Sequence, residues 1–357
     1  MPSIALGGSV KVDLANPYKG KACPLIRLLM NSGYELTTNE KAEFLIAIDH
    51  NRGIYNNFLA NGGSPSRAIL IRLEPLSVFP SQYKDSIFEK YARVISPGSL
   101  DLPNSNTLKY GWPYGYHMNP NFPQDSDSSL SSILDTSEDE INLLIQKWQD
   151  RHILLTMIAS NKVSATRSEN YSLRRRVALE LINPSIEVYG PLWNENLINK
   201  IHHRLAVALF SLRQGVLPNY KSIYGNLFRN YPNAKGSVQN KHSILQQSKF
   251  TLVIENSNFT VTEKLFDAIV NGAVPIYVGP DLARIGLPEN IAICCDGEPK
   301  TISDILNNLS QERIFSILET GQEFLRSDQF RKLWTEEYVY ESIFLEIDSF
   351  VKSFKDW

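Results

Sequence analysis

The fold is decided by the stretch Ser248–Pro280, which reads SKFTLVIENSNFTVTEKLFDAIVNGAVPIYVGP. Its first apolar run predicts a buried strand at Phe250–Glu255, and the segment Glu263–Asn271 after a short polar loop predicts a helix. Gly272 stands at the C′ position, where helices commonly end. Because Val274–Val278 is again apolar and of strand length, the stretch indicates a parallel strand–helix–strand unit.

The same alternation extends over most of the chain, and nearly continuous apolar runs of this length suit parallel strands covered on both faces. Further strands are predicted at Ala42–Asp49, Ala68–Leu73, Tyr91–Ser96, Ile153–Ala159, Ile186–Tyr189 and Ile291–Cys295. A chain of 357 residues exceeds the usual size of one hydrophobic core. We therefore predict an α/β protein with two Rossmann-like, doubly wound domains: residues 1–150, residues 151–325, and a helical tail at 326–357 that packs on the core.

Composition excludes several classes of partner. The net charge is −2, with a pI near 6.3, so neither nucleic acid nor an anionic membrane is indicated. No apolar run approaches the roughly 20 residues that span a bilayer. Three cysteines do not form a disulfide framework and are expected to be buried thiols. We expect a cytoplasmic protein without a transmembrane segment, with peripheral membrane contact left open.

The loop before the predicted helix carries the first chemical signal. Thr262 is placed to cap the helix, and Glu263 and Lys264 stand in its first turn. A lysine at this end is disfavoured by the helix dipole by about 0.3–1 kcal/mol, and a bound diphosphate would reverse that sign. Glu263 could accept hydrogen bonds from ribose hydroxyls. A capped surface helix with a charged pair remains the alternative from these residues alone.

A longer pattern surrounds that loop. The sequence E-N-S (Glu255, Asn256, Ser257) is followed by T-E-K-L from Thr262, then V-P-I and G-P. This series resembles the donor-binding signature of the α-1,3/4-fucosyltransferase family. The resemblance implies two Rossmann-like domains facing a cleft, with GDP-fucose bound by the C-terminal one. It also implies inversion at the anomeric carbon, with no cofactor and no obligatory metal.

Other segments are similar to patterns of the same family. Ser160-Asn161 followed by Arg167 resembles the element whose arginine meets the donor pyrophosphate, and the triplet that ends at Gly190 resembles a strand-end region. The triplet around Glu74 resembles the element that supplies the proposed catalytic base. Residues 113–115, P-Y-G, resemble a further element of the first domain.

The residue chemistry of Arg167 and Glu74 agrees with these roles. Arg167 follows a strand and precedes a helix, so its planar guanidinium is placed to bind a phosphate through two donors. Glu74 follows an apolar strand, where desolvation raises a carboxyl pKa toward the range of a general base. Solvated surface charges are the alternatives for both. Glu255 competes with Glu74 as the base, although orienting the loop or binding sugar hydroxyls suits it better.

Two features bear on the donor and on metal. The loop between E-N-S and T-E-K is shorter than is usual in the family and holds Phe259, which could stack on the donor, where family members have a tyrosine. Another nucleotide sugar therefore stays open. Asp125 and Asp127 form a D-x-D pair, but they lie in a Ser-rich loop without a scaffold to hold a metal, so we expect no metal site.

The sequence thus predicts an inverting glycosyltransferase that moves fucose from GDP-fucose to a hydroxyl of a glycan, with Glu74 as the base. A non-catalytic nucleotide-sugar-binding protein is the alternative from a different class. The predicted donor-binding residues are Arg167, Gly190, Glu255, Asn256, Ser257, Phe259, Thr262, Glu263 and Lys264.

Overall fold

The computed structural model describes residues 2–8, 23–37, 41–97, 107–110, 138–181 and 186–354. The chain divides into two compact units. The first unit joins Met1–Ser132 to Asp328–Trp357, and the second unit is Ile133–Ser327. The C-terminal segment therefore completes the first unit, and the chain enters the second unit before residue 138.

The first unit is built on a six-stranded sheet in which every pair of neighbouring strands is parallel. Its strands are β1 Ser3–Gly8, β2 Glu35–Thr37, β3 Phe44–Ile48, β4 Ala68–Ile71, β5 Arg93–Pro97 and β6 Thr107–Tyr110. They are ordered β2-β1-β3-β4-β5-β6. The chain reverses direction across the sheet between β1 and β3, which is the switch point at which ligands of such sheets bind.

Helices cover both faces of this sheet. They are α1 Cys23–Asn31, α2 Arg52–Ala60, α3 Asp85–Phe88, α12 Asp328–Trp334 and α13 Glu336–Lys352. Alternate residues of β3 enter two separate cores: Ile46 packs with α1 and α13, whereas Leu45 packs with α2. This alternation is the reason why the strands are apolar throughout. The predicted tail helix lies on the core of the first unit, with Ile343 and Ile347 fully buried.

The second unit also has a six-stranded parallel sheet, ordered β12-β11-β10-β7-β8-β9. Its strands are β7 Ile153–Ile158, β8 Glu187–Tyr189, β9 Ala234–Gly236, β10 Ser248–Ile254, β11 Val274–Val278 and β12 Ile293–Cys294. From β7 the chain builds outward on one side to β9, and it then returns to place β10 on the other side. The switch point therefore lies between β7 and β10, beyond their carboxyl ends.

Eight helices of the second unit fall within the described residues. They are α4 Glu138–Gln149, α5 Tyr171–Glu180, α6 Leu197–Arg213, α7 Tyr220–Tyr224, α8 Lys241–Leu245, α9 Glu263–Val270, α10 Pro299–Asn308 and α11 Gln311–Leu325. Residues of β7, β10 and β11 share one core with α4, α5, α10 and α11. Helix α9 begins where the sequence predicts, and Gly272 takes the left-handed conformation expected at C′, with φ 64°.

The predicted fold class, two Rossmann-like α/β units, is confirmed. Two expectations need correction. The strand predicted at 68–73 ends at Ile71, so Glu74 lies beyond it rather than at its end. Cys294 and Cys295 are free thiols as expected, but Cys294 is exposed and Cys295 is half-buried rather than buried. None of the helices in the described part of the chain has the length and apolar character needed to cross a membrane.

Candidate functional site

The loop after β10, residues 255–262, is named the donor loop for the role that the sequence predicts for it. Its two ends are joined by one buried carboxylate. Glu255 is 0% exposed, and its Oε1 accepts a hydrogen bond of 2.9 Å from the backbone N–H of Thr262. Its Oε2 accepts a second bond, of 2.5 Å, from the Thr262 hydroxyl. Both oxygens are thereby used, so the carboxylate fixes the distance between the end of β10 and the start of α9.

Lys264 is the next member of this network. Its ammonium group donates to the Thr262 hydroxyl at 2.5 Å and lies 3.8 Å from the Glu255 carboxylate and 3.5 Å from that of Glu263. The lysine side chain is only 16% exposed. Burial raises the pKa of the Glu255 carboxyl, while Lys264 and the two bonds from Thr262 oppose that shift. The network holds one cation at the start of α9, where an anion is favoured.

The predicted capping role of Thr262 is wrong in its contact, although its position is right. Thr262 is the N-cap residue of α9, but its hydroxyl caps no backbone N–H group. Instead the hydroxyl donates to Glu255 and accepts from Lys264. A charged donor and a charged acceptor are stronger partners than a neutral amide, which is why they take the hydroxyl away from the cap.

Arg174 of α5 anchors the donor loop where it leaves β10, and this residue was not predicted from the sequence. The residue is 2% exposed. Its Nε donates to the carbonyl oxygen of Ile254 at 3.0 Å, and its Nη2 donates to the same oxygen and to Asn256 Oδ1 at 3.0 Å. The signal in the sequence is the run of three arginines, 174–176, placed soon after Arg167.

Further bonds join the donor loop to the loop that follows β7. The backbone N–H of Asn170 donates to the carbonyl oxygen of Asn256 at 3.0 Å, and its side-chain amide donates to Asn258 Oδ1 at 2.8 Å. Ser257 is buried and forms an isolated antiparallel β-bridge with Glu169 through the backbone, while Phe259 is half-buried. The two loops are thus joined at the switch point of the second unit, through Glu169 and Asn170 on one side and the donor loop on the other.

Arg167 lies on the exposed rim of the loop after β7. Its side chain makes no hydrogen bond or ion pair with the residues that the structure describes. The loop itself is fixed, because the backbone and side chain of Asn219 donate to the carbonyl oxygens of Ala165, at 3.1 Å, and Thr166, at 3.3 Å. A free guanidinium on a fixed loop is suited to bind an anion.

Gly190 lies at the end of β8, next to β7, with φ 133°. A Cβ atom there would overlap the carbonyl oxygen of Ala159. The glycine is therefore required for the close approach of two strand ends at the edge of the sheet that carries the site.

A cavity of about 510 Å³ lies at the carboxyl ends of β11 and β12. Tyr277, Gly279, Asp281, Cys294 and Arg313 are among the residues that line it. Gly279 lies between this cavity and the start of the donor loop. A Cβ atom on Gly279 would overlap the Tyr277 hydroxyl and would lie 2.9 Å from Glu255 Cγ. The donor loop is thus bordered by open volume on the β11 side.

In the first unit, Glu74 lies three residues beyond β4 and its side chain is half-buried. The backbone around it is held by Asp49, whose Oδ1 accepts from the N–H groups of Leu73 at 2.8 Å and Glu74 at 2.9 Å. Gln82 donates to the same Asp49 oxygen and to the carbonyl oxygen of Glu74. Asp49 has φ 55°, an uncommon conformation for a residue other than glycine, so this backbone is set by tertiary contacts.

His50, directly after Asp49, belongs to the same buried polar cluster. Its Nδ1 lies 2.8 Å from the Tyr91 hydroxyl, and its backbone N–H donates to Gln82. Burial lowers the pKa of His50 to about 4, and the nearby cations Lys90 and Arg52 add to the shift. The imidazole is therefore neutral in the folded state at neutral pH.

Among the residues that the structure describes, no group of three or more His, Cys, Asp or Glu side chains is placed to hold a metal ion. Asp125 and Asp127 of the D-x-D pair, like the P-Y-G triplet at 113–115, lie outside the described residues.

The comparison with protein families bears on the second unit. Residues 220–313 match the model of glycosyltransferase family 10 (fucosyltransferase), C-terminal region. The predicted resemblance to the fucosyltransferase family is confirmed over these residues. The matched range contains Glu255, Thr262 and Lys264 but neither Arg167 nor Glu74. No curated protein matches the chain in sequence.

Solved structures match almost the whole chain. The Anabaena protein Alr3699/HepE in complex with UDP and glucose has a TM-score of 0.55 at 10% identity, covering 98% of this chain and 100% of that one. A structure of trehalose-6-phosphate from E. coli bound with UDP-2-fluoro glucose has a TM-score of 0.50 at 8% identity, covering 97% and 98%. At such identities the likeness shows the fold, which is of the glycosyltransferase B type. Family match and fold together support a glycosyltransferase.

The low pKa of His50 gives a prediction on stability. Between about pH 6.5 and pH 4 the unfolded state binds a proton that the folded state does not, so the free energy of unfolding falls as the pH falls through this range. From pH 7 to pH 5 this histidine alone accounts for a loss of about 2 kcal/mol. His50→Asn, which keeps a polar atom near Tyr91, should lack that part of the loss in urea unfolding.

The matched control is His202→Gln, because His202 is exposed on α6. It should retain the full pH dependence of the wild type. Equal pH dependence in the wild type and His50→Asn would contradict the burial of a neutral imidazole.

Proposed function

We propose that the chain is an inverting glycosyltransferase that moves fucose from GDP-fucose to a hydroxyl group of a glycan. One observation carries this proposal. Lys264 is held at the start of α9 by Thr262 and Glu255, at the switch point of the second unit and within the range that matches the fucosyltransferase family. A fixed, largely buried cation at a helix N-terminus suits a diphosphate.

The donor diphosphate is bound by two cations in this proposal. An ammonium group has three donors; Thr262 accepts one of those of Lys264 and the Glu263 carboxylate faces a second at 3.5 Å, so one remains for a phosphate oxygen. The guanidinium of Arg167, which has no partner among the described residues, offers a planar pair of donors to the same group. Because negative charge grows on the diphosphate as the glycosidic bond breaks, both cations stabilise the transition state more than the bound donor.

The carboxylates near Lys264 take different roles. The Glu263 side chain is 45% exposed and is free to accept hydrogen bonds from the ribose hydroxyls. Glu255 is completely buried, with both oxygens bonded to Thr262, so we assign it a positioning role toward the loop and Lys264. We assign the remaining donor-loop contacts to Asn256, Ser257 and Phe259. Phe259 is the residue available to stack on the donor.

The transfer itself requires one base. The acceptor hydroxyl oxygen attacks the anomeric carbon of fucose while the bond from that carbon to the diphosphate oxygen breaks, and the electron pair leaves with GDP. The hydroxyl proton passes to the carboxylate of Glu74, which we propose as general base. Asp49 holds the backbone of Glu74 through its N–H group, which fixes where the side chain begins. Attack opposite the leaving group inverts the anomeric carbon.

We further propose that the reaction needs no metal, because Lys264 and Arg167 supply the positive charge that a divalent ion provides elsewhere. The residue that bears most directly on the identity of the donor is Phe259. Phe259 cannot donate the hydroxyl hydrogen bond of the tyrosine that the family carries near this position. A transferase for another nucleotide sugar, such as a UDP-sugar, is therefore the second candidate, and comparing GDP with UDP binding separates the two.

Replacement of Lys264 tests the diphosphate site. Lys264→Ala should weaken GDP binding by about tenfold to a hundredfold, because a charge-assisted hydrogen bond contributes about 1.5–3 kcal/mol. Isothermal titration with GDP and with UDP in a buffer that contains EDTA measures the loss and tests the need for metal at once. Lys300→Ala is the matched control, because Lys300 is an exposed lysine in the first turn of α10.

Several outcomes would count against this assignment. Unchanged GDP affinity in a folded Lys264→Ala variant would remove Lys264 from the site. Binding of UDP but not GDP would replace fucose by another sugar, and binding that is lost in EDTA would require a metal.

Replacement of Glu74 separates an enzyme from a non-catalytic nucleotide-sugar-binding protein. Glu74→Gln should leave GDP affinity and melting temperature nearly unchanged, since Glu74 belongs to the other unit of the chain. Transfer of fucose to an acceptor glycan should fall by about 10²–10⁴-fold, because glutamine takes up no proton at neutral pH. Glu89→Gln, an exposed glutamate of the same unit, serves as the control and should transfer normally.

A Glu74→Gln variant that binds GDP and transfers at the wild-type rate would show that Glu74 is not the base. A wild-type protein that binds GDP but transfers to none of a broad set of acceptor glycans would favour the binding protein.

A further inference from the structure

Helix α6 has its polarity reversed relative to an ordinary surface helix. Its inward side is small or polar: Arg204, Ala208 and Ser211 are buried, and the Arg204 guanidinium donates to the carbonyl oxygen of Gly225 at 2.8 Å. Its outward side is aliphatic. The exposed side chains, spaced by three and four residues along one face, are Ile198, Ile201, Leu205, Leu209 and Leu212. A soluble helix normally turns such a stripe toward the core.

The segment after α6 continues the same character. Between α6 and residue 228, four more large apolar or aromatic side chains are exposed. They are Leu217, Tyr220, Tyr224 and Phe228. Leu217 is 87% exposed and Phe228 is 78% exposed. We call these residues, together with the stripe on α6, the apolar face. Exposed apolar surface of this extent marks an interaction site.

Most charged side chains around the apolar face are cations, with Glu195, directly before α6, as an exception. From residue 196 to residue 254 the sequence contains no Asp or Glu, while it contains eight Lys and Arg residues. Three of these cations, Arg213, Lys221 and Arg229, are exposed within or beside the face. The net charge of the whole chain, −2, conceals this local excess. A mainly cationic border around apolar side chains is complementary to an anionic lipid surface.

We propose that the apolar face binds the surface of an anionic lipid bilayer, with its aliphatic and aromatic side chains in the interfacial layer and its cations among the lipid headgroups. A second copy of the chain fits less well, because a helix–helix seam would confine the apolar residues to α6. Here they continue through α7 and the segments around it, and they include tyrosine and phenylalanine, which suit a membrane interface.

Membrane binding would also reach the candidate site. Asn219 directly precedes Tyr220 of the apolar face. It donates to the carbonyl oxygens of Ala165 and Thr166, next to Arg167. Arg175 of α5 donates to the carbonyl oxygen of Ser222 at 3.0 Å. The surface that contacts lipid is thus attached to the loop after β7. The proposal itself does not rest on the proposed function, since lipid binding is measured without any sugar substrate.

Flotation with vesicles tests the proposal on the full chain. Vesicles of phosphatidylcholine alone are compared with vesicles of phosphatidylcholine and phosphatidylglycerol at a ratio of about 7:3, at low salt and at about 0.5 M NaCl. We expect binding to the anionic vesicles only, weakened by salt. Leu205→Gln with Leu209→Gln, and separately Lys221→Glu with Arg229→Glu, should each reduce the bound fraction about tenfold or more.

Matched controls lie outside the apolar face. Leu333→Gln with Leu345→Gln alters exposed leucines of α12 and α13, and Lys300→Glu with Lys332→Glu alters exposed lysines. Both controls should bind vesicles within about twofold of the wild type, and melting temperatures verify that every variant is folded, as the altered side chains are exposed.

Three results would overturn the proposal. One is a wild-type protein that does not bind anionic vesicles. Another is vesicle binding that the apolar and cationic variants leave unchanged. The third is a stable dimer in light scattering that Leu205→Gln with Leu209→Gln dissociates in the absence of vesicle binding, which would make the face an interface between copies.

Discussion

The candidate site depends on a carboxylate that is never exposed to solvent. Glu255 receives the backbone N–H and the hydroxyl of Thr262, so the donor loop has a fixed length and α9 has a fixed start. A buried carboxylate is costly unless it is compensated, and Lys264 at 3.8 Å supplies the opposite charge. The same network therefore stabilises the loop and holds the cation that the proposed chemistry requires. Replacing Glu255, Thr262 or Lys264 is therefore expected to disturb both the loop conformation and the position of the positive charge.

Sequence periodicity predicts the elements that are apolar throughout, because parallel strands bury both faces. The strands β3, β4, β7, β10 and β11 are found close to their predicted positions for this reason. The short edge strands β2 and β9 were missed, since three residues at a sheet edge carry little apolar pattern. Helix α6 escaped prediction because its apolar side faces outward and its buried side carries Arg204 and Ser211.

The contacts of the site were harder to predict than its residues. The sequence placed Glu255 and Thr262 at the two ends of one loop and Lys264 in the first turn of the following helix. Only the fold shows that the Thr262 hydroxyl bonds to the two charged side chains rather than capping α9. Arg174 and Asp49 were missed because their partners, the carbonyl oxygen of Ile254 and the N–H groups of Leu73 and Glu74, are distant in sequence. The overall charge carries no information on the segment 196–254, which contains no Asp or Glu, because it averages over the whole chain.

The claim that a nucleoside diphosphate binds at the donor loop is tested most directly by amide hydrogen exchange with and without saturating GDP. The account predicts that amide exchange slows by about tenfold or more at residues 256–266 and around Arg167, because bound GDP restrains the opening of both loops. Exchange on the outer surface of α10 should stay unchanged. GDP binding that protects other segments while residues 256–266 exchange as before would contradict the account.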